Sequence, residues 1–474
     1  MMRALLVSTY ELGRQPFGLA SPAAWLRREG WQVDCVDAAK ERVRDDLIAG
    51  ADLVGVHLPM HTATRLAGPF IVKTRRVNRK ARLCAYGLYA PLNERWLRSL
   101  GVDEVLGGEY EEYLAALARR LRSIGTAGHG EKKSTETVAA GPAISAVNPP
   151  RLQFLVPDRS TLLPLTRYAT LHMPDGTRKA VGSTEASRGC KHLCRHCPVV
   201  PIYQGQFRIV QADVVLADIQ AQIAAGAEHI TFGDPDFFNG PSHAARIVDA
   251  LHAAAPHATY DVTVKVEHLL RHRDLLPRLA ATGCAFVTSA VESIDDRVLA
   301  LLDKGHTCAD FVEAVALCRR VGLTFVPTFV AFHPWLSLDD YCALLDTIAD
   351  LDLVDRVAPI QLAIRLLVPE GSLLIDRPEL KPHLGPFDPD TLAYPWTHPD
   401  PRVDVLHRDV TKLVGTRLAS NRRELFNEIR AIACERAGRS RPASIDTAAV
   451  IGAPFLDEPW YCCAEPNADD IRLV

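Results

Sequence analysis

The sequence predicts an α/β protein with two parallel sheets and a helical extension. Short apolar runs alternate with helical patterns over residues 3–121, which is typical of a doubly wound parallel sheet covered by helices on both faces. A polar, low-complexity stretch interrupts this alternation at residues 123–150. The alternation then resumes, and six repeats of about 25–45 residues predict a partial (β/α)6 barrel.

Four regions follow from these changes in pattern. We expect a doubly wound domain at residues 1–122, a flexible linker at 123–150, a partial barrel at 151–373 and a C-terminal extension at 374–474. A chain of 474 residues is also too long for a single hydrophobic core. The extension begins with a proline-rich irregular segment and contains one or two predicted helices at residues 403–437.

The first domain is predicted from five strands and three well-defined helices. The strands are Ala4–Val7, Val33–Val36, Leu53–Leu58, Leu83–Tyr86 and Val102–Leu106, and the helices are Pro22–Glu29, Thr64–Asn78 and Glu109–Leu121. Doubly wound sheets bind ligands at the carboxyl ends of their strands. We therefore examine the loops that follow these strands for binding residues.

The barrel is predicted from six strands, the first of which precedes Cys190. The others are His229–Gly233, Tyr260–Val266, Ala285–Val291, Thr324–Phe332 and Pro359–Leu367, with helices at Ala212–Ala224, Ala244–Ala254, Leu269–Ala280, Asp295–Leu302, Ala309–Val321 and Asp339–Leu351. An open barrel leaves a mouth at the carboxyl ends of its strands. Chemistry is expected there.

Composition excludes several classes of partner. The formal net charge of −3 gives no reason to expect nucleic acid or an anionic membrane as a partner. No stretch reaches the roughly 18 apolar residues of a membrane span, and the apolar run at the N-terminus is too short for a signal peptide. Most of the twelve cysteines are scattered singly, which fits the reducing cytoplasm. We predict a cytoplasmic protein.

Three cysteines form the most informative motif. Cys190, Cys194 and Cys197 have the spacing C-x3-C-x2-C on one short loop. A [4Fe–4S] cluster needs four ligands, so three thiolates leave one iron open to another molecule. A closed zinc site that adds His192 or His196 is the main alternative. Disulfides are disfavoured because this motif has an odd number of cysteines and because the sequence has no secretory signature.

The spacing, with Arg188-Gly189 before it, resembles the radical S-adenosylmethionine (SAM) superfamily. The resemblance implies that the fourth iron binds the amino and carboxylate groups of SAM. It also implies a small-molecule substrate and an external reductant protein such as a flavodoxin or ferredoxin. His196 stands where this family has a carbocyclic aromatic residue, and an imidazole can still stack on adenine.

The resemblance also implies SAM contacts at successive strand ends. Phe232-Gly233-Asp234 matches the family's glycine-rich acidic segment, in which Gly233 lets the backbone come close and Asp234 pairs with the SAM ammonium. The remaining expected contacts are Glu267, Glu292, Ser293, Lys304 and His196. If the third strand continues past Lys265, this residue and Glu267 face the same way.

A further candidate lies in the predicted sixth strand. Arg365 stands among apolar residues there, and a buried arginine is rarely unpaired. Its guanidinium is therefore a candidate clamp for a substrate carboxylate, with a structural role as the equal alternative.

The first domain resembles the cobalamin-binding domain that precedes many radical SAM domains. That family carries a D-x-H-x-x-G motif after its first strand, whereas this chain has Thr9-Tyr10-Glu11-Leu12-Gly13. The cobalt-ligating histidine is missing. We interpret His57 and His61, which follow the third strand, as polar loop residues. Cobalamin bound without a protein ligand stays open as a second cofactor.

The chain ends in an unusual cysteine pair. Cys462-Cys463-Ala464-Glu465-Pro466 resembles the tail of the radical SAM group named for its CUAEP or CCAEP ending, in which selenocysteine can replace the first cysteine. This exchange implies that Cys462 is reactive. We expect Cys462 and Cys463 to supply a thiol, a hydrogen atom or a soft metal ligand. The alternative is a pair of surface cysteines in a disordered tail.

Together these features predict a radical SAM enzyme that uses a [4Fe–4S] cluster and SAM to modify a small molecule. One alternative is transfer of the 3-amino-3-carboxypropyl group of SAM to trivalent arsenic, as in arsinothricin biosynthesis. Another is an iron–sulfur or zinc protein without SAM chemistry.

Overall fold

The computed structural model of the chain describes residues 1–127, 151–415, 417, 421–447 and 452–457. The tail cysteines Cys462 and Cys463 lie outside the described residues, as does most of the predicted linker. The helix before the linker continues to Ala127, so residues 123–127 are helical and not linker. Gly125 does not end this helix, because one glycine costs only about 1 kcal/mol relative to alanine.

The first domain is a five-stranded parallel sheet. Its strands are β1 (Arg3–Ser8), β2 (Gln32–Asp37), β3 (Leu53–His57), β4 (Arg82–Tyr86) and β5 (Glu104–Leu106), in the order β2-β1-β3-β4-β5. The order reverses between β1 and β3, which is where doubly wound sheets open a crevice for ligands. The predicted strands are confirmed.

Five helices cover this sheet: α1 (Phe17–Arg28), α2 (Asp45–Ala49), α3 (His61–Val77), α4 (Glu94–Ser99) and α5 (Glu111–Ala127). Alternation along β1 divides the core in two, because successive side chains point to opposite faces. Leu6 packs with residues of α1 and α5, whereas Leu5 and Val7 pack with residues of α3 and α4.

The second domain is a curled half-barrel. The sheet has the order β13-β12-β11-β10-β7-β6-β14. Its parallel strands are β7 (Arg178–Thr184), β10 (His229–Phe232), β11 (Thr259–Thr263), β12 (Cys284–Glu292) and β13 (Phe325–Phe329), with β6 (Thr170–His172) and β14 (Phe455–Leu456) at one edge. A separate antiparallel ribbon joins β8 (Ser187–Gly189) to β9 (Phe207–Ile209).

Helices cover the outside of the half-barrel. They are α6 (Val199–Tyr203), α7 (Ala212–Ala224), α8 (Pro241–Ala254), α9 (Val266–Arg271), α10 (Leu276–Ala281), α11 (Asp296–Leu302), α12 (Cys308–Arg320) and α13 (Leu338–Asp350), followed by α14 (Pro401–Gly415) and α15 (Arg422–Arg436) of the extension. Val403 of α14 and Leu425 of α15 belong to the same core as the barrel helices. The extension is therefore packed against the barrel. No helix among the described residues is long and apolar enough to cross a membrane.

Two predicted strands differ from the structure. The sixth barrel strand is reduced to one parallel bridge between Phe332 and Arg365, and residues Pro359–Leu362 form a 3-10 turn. A proline at the start of this segment lacks the N–H that a ladder needs. The third barrel strand ends at Thr263, and α9 begins at Val266. Lys265 and Glu267 therefore flank a helix start and do not share a strand face.

The C-terminal strand β14 is held at the barrel edge. Leu456 pairs with Leu171 of β6, and the backbone N–H of Asp457 donates to the carbonyl of Thr170 at 3.1 Å. Both β14–β6 and β6–β7 are antiparallel. The chain consequently leaves β14 in the direction of the parallel strands, toward their carboxyl ends.

Candidate cluster and cofactor site

The three cysteines lie on the loop between β8 and α6, beyond the carboxyl end of β7. The loop is fixed at its start, where the N–H of Cys190 donates to the carbonyl of Gln206 at 3.1 Å. The side chain of Asn239 holds the next turn, because it accepts from the N–H of Lys191 at 3.2 Å and donates to the carbonyl of Gly189 at 3.1 Å. These contacts hold the thiols in place without a metal.

Gly189 cannot be replaced by another residue without moving its neighbours. Its φ of +75° lies in the left-handed region. A Cβ atom at this position would stand 2.4 Å from Cδ1 of Tyr203 and 2.6 Å from the carbonyl oxygen of Gln206. Only glycine therefore allows the ribbon to lie this close to α6.

The arrangement of the thiols fits a cluster better than a zinc ion. A tetrahedral zinc with bonds of about 2.3 Å would draw its thiolates to about 3.8 Å from one another. Among the described residues, the three-donor group with all its atoms within 4.8 Å is Cys190, His192 and Asp236, and the three thiols do not form such a group. His196 turns away from the thiols to Glu292, at 3.2 Å. A [4Fe–4S] cluster binds each thiolate to a different iron and so accepts wider spacing.

Burial keeps Cys190 and Cys197 protonated when no metal is bound. Burial raises the pKa of Cys190 to about 11, to which the carboxylate of Asp236 and the neighbouring Cys194 contribute. Burial also raises the pKa of Cys197. Metal coordination removes thiol protons that such an environment otherwise retains. The ammonium of Lys265 lies 3.6 Å from the sulfur of Cys194 and offers it a hydrogen bond.

A buried polar pocket lies beside this loop, at the end of β12. Glu292 is 1% exposed and has a φ of +69°, a conformation that a non-glycine residue adopts at a cost. Its Oε1 accepts from Lys304 at 3.3 Å and lies 3.2 Å from Nε2 of His196. Burial raises the pKa of Glu292, but these two partners outweigh burial and lower it to about 2.

Several polar atoms of this pocket have no hydrogen-bond partner in the described part of the chain. They are Oε2 of Glu292, Nδ1 of His196 and Nδ1 of His306. Buried polar groups are nearly always satisfied, and an orphaned acceptor costs about 1–3 kcal/mol. These atoms are therefore available to a polar ligand.

The other predicted SAM residues are placed differently. Asp234 accepts from the N–H of Ala186 at 2.8 Å and from the hydroxyl of Ser187 at 2.6 Å, so it braces the strand that precedes the cysteines. The side chain of Phe232 packs outward among the barrel helices, which leaves only its backbone for the predicted contact. The hydroxyl of Ser293 accepts from the N–H of Asp295 within a turn.

Two more predictions can be compared with the structure. The carboxylate of Glu267 lies 3.9 Å from the ammonium of Lys265, and Gly233 donates its N–H to the carbonyl of Thr184 at 2.8 Å. Arg365 has the structural role that was the alternative to a clamp for a substrate carboxylate. Its guanidinium donates to Asp404 and to the carbonyl of Trp396, both at 2.8 Å, and lies over the Trp396 ring. An internal carboxylate already neutralises it.

One protein family matches the part of the chain that contains this site. Residues 184–348 match the sequence model of the radical SAM superfamily, a segment that contains the three cysteines, Glu292 and Lys304. Residues 184–348 are thus a radical SAM domain.

Curated relatives match a part of this chain similar in length to the radical SAM domain. The tRNA-2-methylthio-N(6)-dimethylallyladenosine synthase of Pelodictyon phaeoclathratiforme is 27% identical over 180 residues, which are 35% of this chain and 39% of the relative. The synthase of Chlorobium chlorochromatii is 29% identical over 142 residues, 28% of this chain and 31% of the relative. The match thus spans less than two fifths of either relative.

Two solved structures share the α/β fold of this chain. The radical SAM methyltransferase TsrM of Kitasatospora setae, solved with tryptophan and a SAM analogue, has a TM-score of 0.58 at 19% identity and covers 74% of this chain and 72% of its own. The cobalamin-dependent radical SAM enzyme OxsB, solved with aqua-cobalamin and SAM, has a TM-score of 0.65 at 12% identity and covers 92% of this chain and 71% of its own.

The edge at which a doubly wound domain opens its crevice is filled with side chains here. The ring of His57 lies against α1, where a Cβ on Gly18 would stand 1.9 Å from it, and its Nδ1 is 3.1 Å from Glu11. The tilted rings of Tyr86 and Tyr110 lie beside it, with their centroids 4.8 Å apart. All three rings are buried. In this arrangement the described residues do not fit cobalamin.

The second histidine of this edge is also engaged. Nε2 of His61 lies 2.7 Å from the carbonyl oxygen of Thr391, and burial lowers the pKa of His61 to about 4. Each histidine thus has a protein partner. Their prediction as loop residues is wrong, because His57 is the last residue of β3 and His61 is the first residue of α3.

The radical SAM domain is instead joined to the first domain by a buried ion cluster that sequence analysis missed. Arg188 donates to Glu111 at 2.7 Å, to Glu109 at 3.0 Å and to Glu185 at 2.7 Å. Burial raises the pKa of Glu109 to about 7, although Arg188 opposes this shift. An arginine two residues before the first cysteine was the available signal. The first domain thereby anchors the strand that leads to the cluster loop.

Proposed function

We propose that the enzyme binds a [4Fe–4S] cluster through Cys190, Cys194 and Cys197, binds SAM beside it, and modifies a small-molecule substrate by radical chemistry. The observation that carries this proposal is the buried pocket in which orphaned polar atoms of Glu292 and His196 adjoin the three thiols. When bound, the cluster would supply the electron for reductive cleavage of a carbon–sulfur bond of SAM.

The protein side chains bind and orient the reactants. Glu292 is ionised at neutral pH, because its pKa is about 2, so its Oε2 accepts a hydrogen bond from a SAM hydroxyl or amino group. Lys304 holds Glu292 in place and adds a positive charge that favours the SAM carboxylate. Lys265 donates to the Cys194 thiolate.

Burial supplies the second contribution. Lys265, Glu292 and Lys304 are each at most 7% exposed, so water has little access to the place where the radical forms. Exclusion of water strengthens the ionic contacts of this site and protects reactive species from side reactions. An external one-electron donor protein, such as a flavodoxin or ferredoxin, completes the proposed system.

The tail cysteines form the finer part of the proposal. We propose that Cys462 and Cys463 supply a thiol, a hydrogen atom or a soft ligand. Support comes from β14, which leads toward the carboxyl ends of the strands. Cys462 follows Asp457 by five residues and can reach at most about 18 Å. The end of β7 at Thr184 lies four residues, or about 13 Å, beyond the level of Asp457.

Product analysis tests the reaction. The chain is reconstituted anaerobically with iron and sulfide, and SAM and dithionite are added. We expect 5′-deoxyadenosine and methionine from the wild type and neither from Cys197→Ala. Methylthioadenosine would instead favour 3-amino-3-carboxypropyl transfer, the alternative that includes trivalent arsenic as acceptor. Intact SAM in the presence of a reduced cluster would refute both.

The tail is tested separately. Cys462→Ser and Cys463→Ser should leave SAM cleavage unchanged and abolish turnover of the substrate. Unchanged turnover in the double variant would end the proposed role of the tail.

A further inference from the structure

A second set of metal-binding atoms lies on the outer side of the cluster loop. The sulfur of Cys190, a ring nitrogen of His192 and a carboxylate oxygen of Asp236 all lie within 4.8 Å of one another. Asp236 follows β10, where it caps a 3-10 turn by accepting from the N–H of Phe238 at 3.0 Å. This turn and the cysteine loop bring the three donors together.

Several polar atoms at this place make no hydrogen bond. Oδ2 of Asp236 lies 2.7 Å from Nδ1 of His268 and 3.5 Å from Nε2 of His192, yet none of these atoms makes an aligned hydrogen bond in the described part of the chain. Asp236 and His268 are both fully buried, and His192 is partly buried. An unpaired buried polar atom costs about 1–3 kcal/mol, which favours a ligand that contacts both Asp236 and His192.

The chemistry of the donors restricts what that occupant is. A thiolate, an imidazole and a carboxylate suit zinc and ferrous iron, whereas calcium and magnesium prefer oxygen donors alone. The rings of His192 and His268 lie side by side, with their centroids 4.6 Å apart.

We propose that Cys190, His192 and Asp236 form a mononuclear site for a divalent transition metal of the zinc and ferrous iron class. His268 lies next to the carboxylate and orients it, as outer partners of metal ligands commonly do. Binding displaces the Cys190 proton to solvent and involves no redox step.

This site shares one ligand with the cluster. Cys194 and Cys197 do not belong to it. If Cys190 also holds the cluster, which rests on the proposed function, the two centres exclude each other. Occupation by zinc therefore blocks cluster assembly and keeps the enzyme inactive, so the site makes cluster loading sensitive to the divalent metal that reaches the chain first.

The test uses the full-length chain with Cys194→Ser and Cys197→Ser, which removes two cluster ligands and leaves the proposed site intact. Cobalt(II) is the probe. We expect one cobalt per chain with a charge-transfer band of the intensity of a single thiolate, displaced by zinc. Adding Asp236→Asn should weaken cobalt binding at least tenfold, whereas His252→Gln, in α8 and outside the site, should not. Absence of cobalt binding, or binding indifferent to Asp236→Asn, would overturn the proposal.

The wild-type chain provides a second measurement that does not depend on the folding of the double variant. One equivalent of zinc is added before iron and sulfide. We expect lower cluster content in the wild type and restored content in Asp236→Asn. A cobalt spectrum with three thiolates would assign the metal to the cysteine triplet and contradict the site.

The two proposals fail separately. A wild-type chain that never assembles a cluster, while the double variant binds cobalt, would refute the proposed function alone. Cluster assembly without cobalt binding in the double variant would refute this site alone.

Discussion

Replacement of Gly189 by alanine should prevent cluster binding. The residue precedes Cys190 and has a φ of +75°. A Cβ atom here would lie closer than 3.0 Å to atoms of both Tyr203 and Gln206, so there is no room for it. Neither neighbour can move freely. Tyr203 is buried and donates its hydroxyl hydrogen to Glu109 at 3.0 Å, and the Gln206 carbonyl accepts from the N–H of Cys190.

The magnitude has two parts. A left-handed backbone costs alanine about 1 kcal/mol relative to glycine. Overpacking a site whose neighbours are fixed adds about 1–3 kcal/mol. The total for Gly189→Ala is therefore about 2–4 kcal/mol of unfolding free energy, concentrated on the loop that holds the thiols. Gly176→Ala is a matched control, because Gly176 has a φ of +85° and nothing within 4 Å of its Cβ position.

The assay combines anaerobic urea unfolding of the chain without iron with iron and sulfide content after reconstitution. We expect Gly176→Ala to lose about 1 kcal/mol and to bind iron like the wild type. Gly189→Ala should lose more and bind little iron. If Gly189→Ala matched its control in both measurements, the reasoning about this loop would be wrong.

The remaining predictions concern the domain contact, the SAM pocket, the cofactor and pH. Arg188→Met should lower the unfolding free energy in urea by about 3–5 kcal/mol, because it leaves three carboxylates without their arginine partner. Arg119 is exposed, so Arg119→Met should change the unfolding free energy by at most about 1 kcal/mol. Equal effects of the two variants would contradict a buried contact. Glu292→Gln should weaken SAM binding to the loaded enzyme about 10- to 100-fold by calorimetry, and unchanged affinity would exclude the contact. The chain should retain no cobalt after incubation with hydroxocobalamin and desalting; stoichiometric cobalt would show that the first domain opens. Burial raises the pKa of Asp37 from 3.8 to about 7, so its protonated form stabilises the fold and this contribution is lost as pH rises between these values. Unfolding free energies should therefore fall across this range relative to Asp37→Asn, and parallel profiles would refute the shift.

The parallel domains could be predicted because their strands are short apolar runs with regular spacing. Leu53 and Val54 point to opposite faces and are both fully buried, which is the signature of a sheet covered on both sides. The cluster loop was predicted from cysteine spacing alone, and the family match agrees with it. Local pattern was sufficient in both cases.

Features that depend on contacts between distant residues could not be predicted. The apolar pattern of Pro359–Leu367 is typical of a strand, but residues Pro359–Leu362 form a 3-10 turn. Asp234 accepts from the N–H of Ala186 and the hydroxyl of Ser187, which lie 48 and 47 residues before it. Arg365 meets Asp404, which lies 39 residues away. The periodicity of the sequence does not indicate such distant partners.

The central claim is that three thiols bind a cluster whose fourth iron takes SAM. It is tested most directly by electron paramagnetic resonance of the reconstituted, dithionite-reduced enzyme with and without SAM. We expect a [4Fe–4S] signal in the wild type whose shape changes when SAM is added, because SAM enters the coordination of one iron. A cluster signal that is indifferent to saturating SAM, or a colourless chain that holds only zinc at the cysteines, would contradict the account.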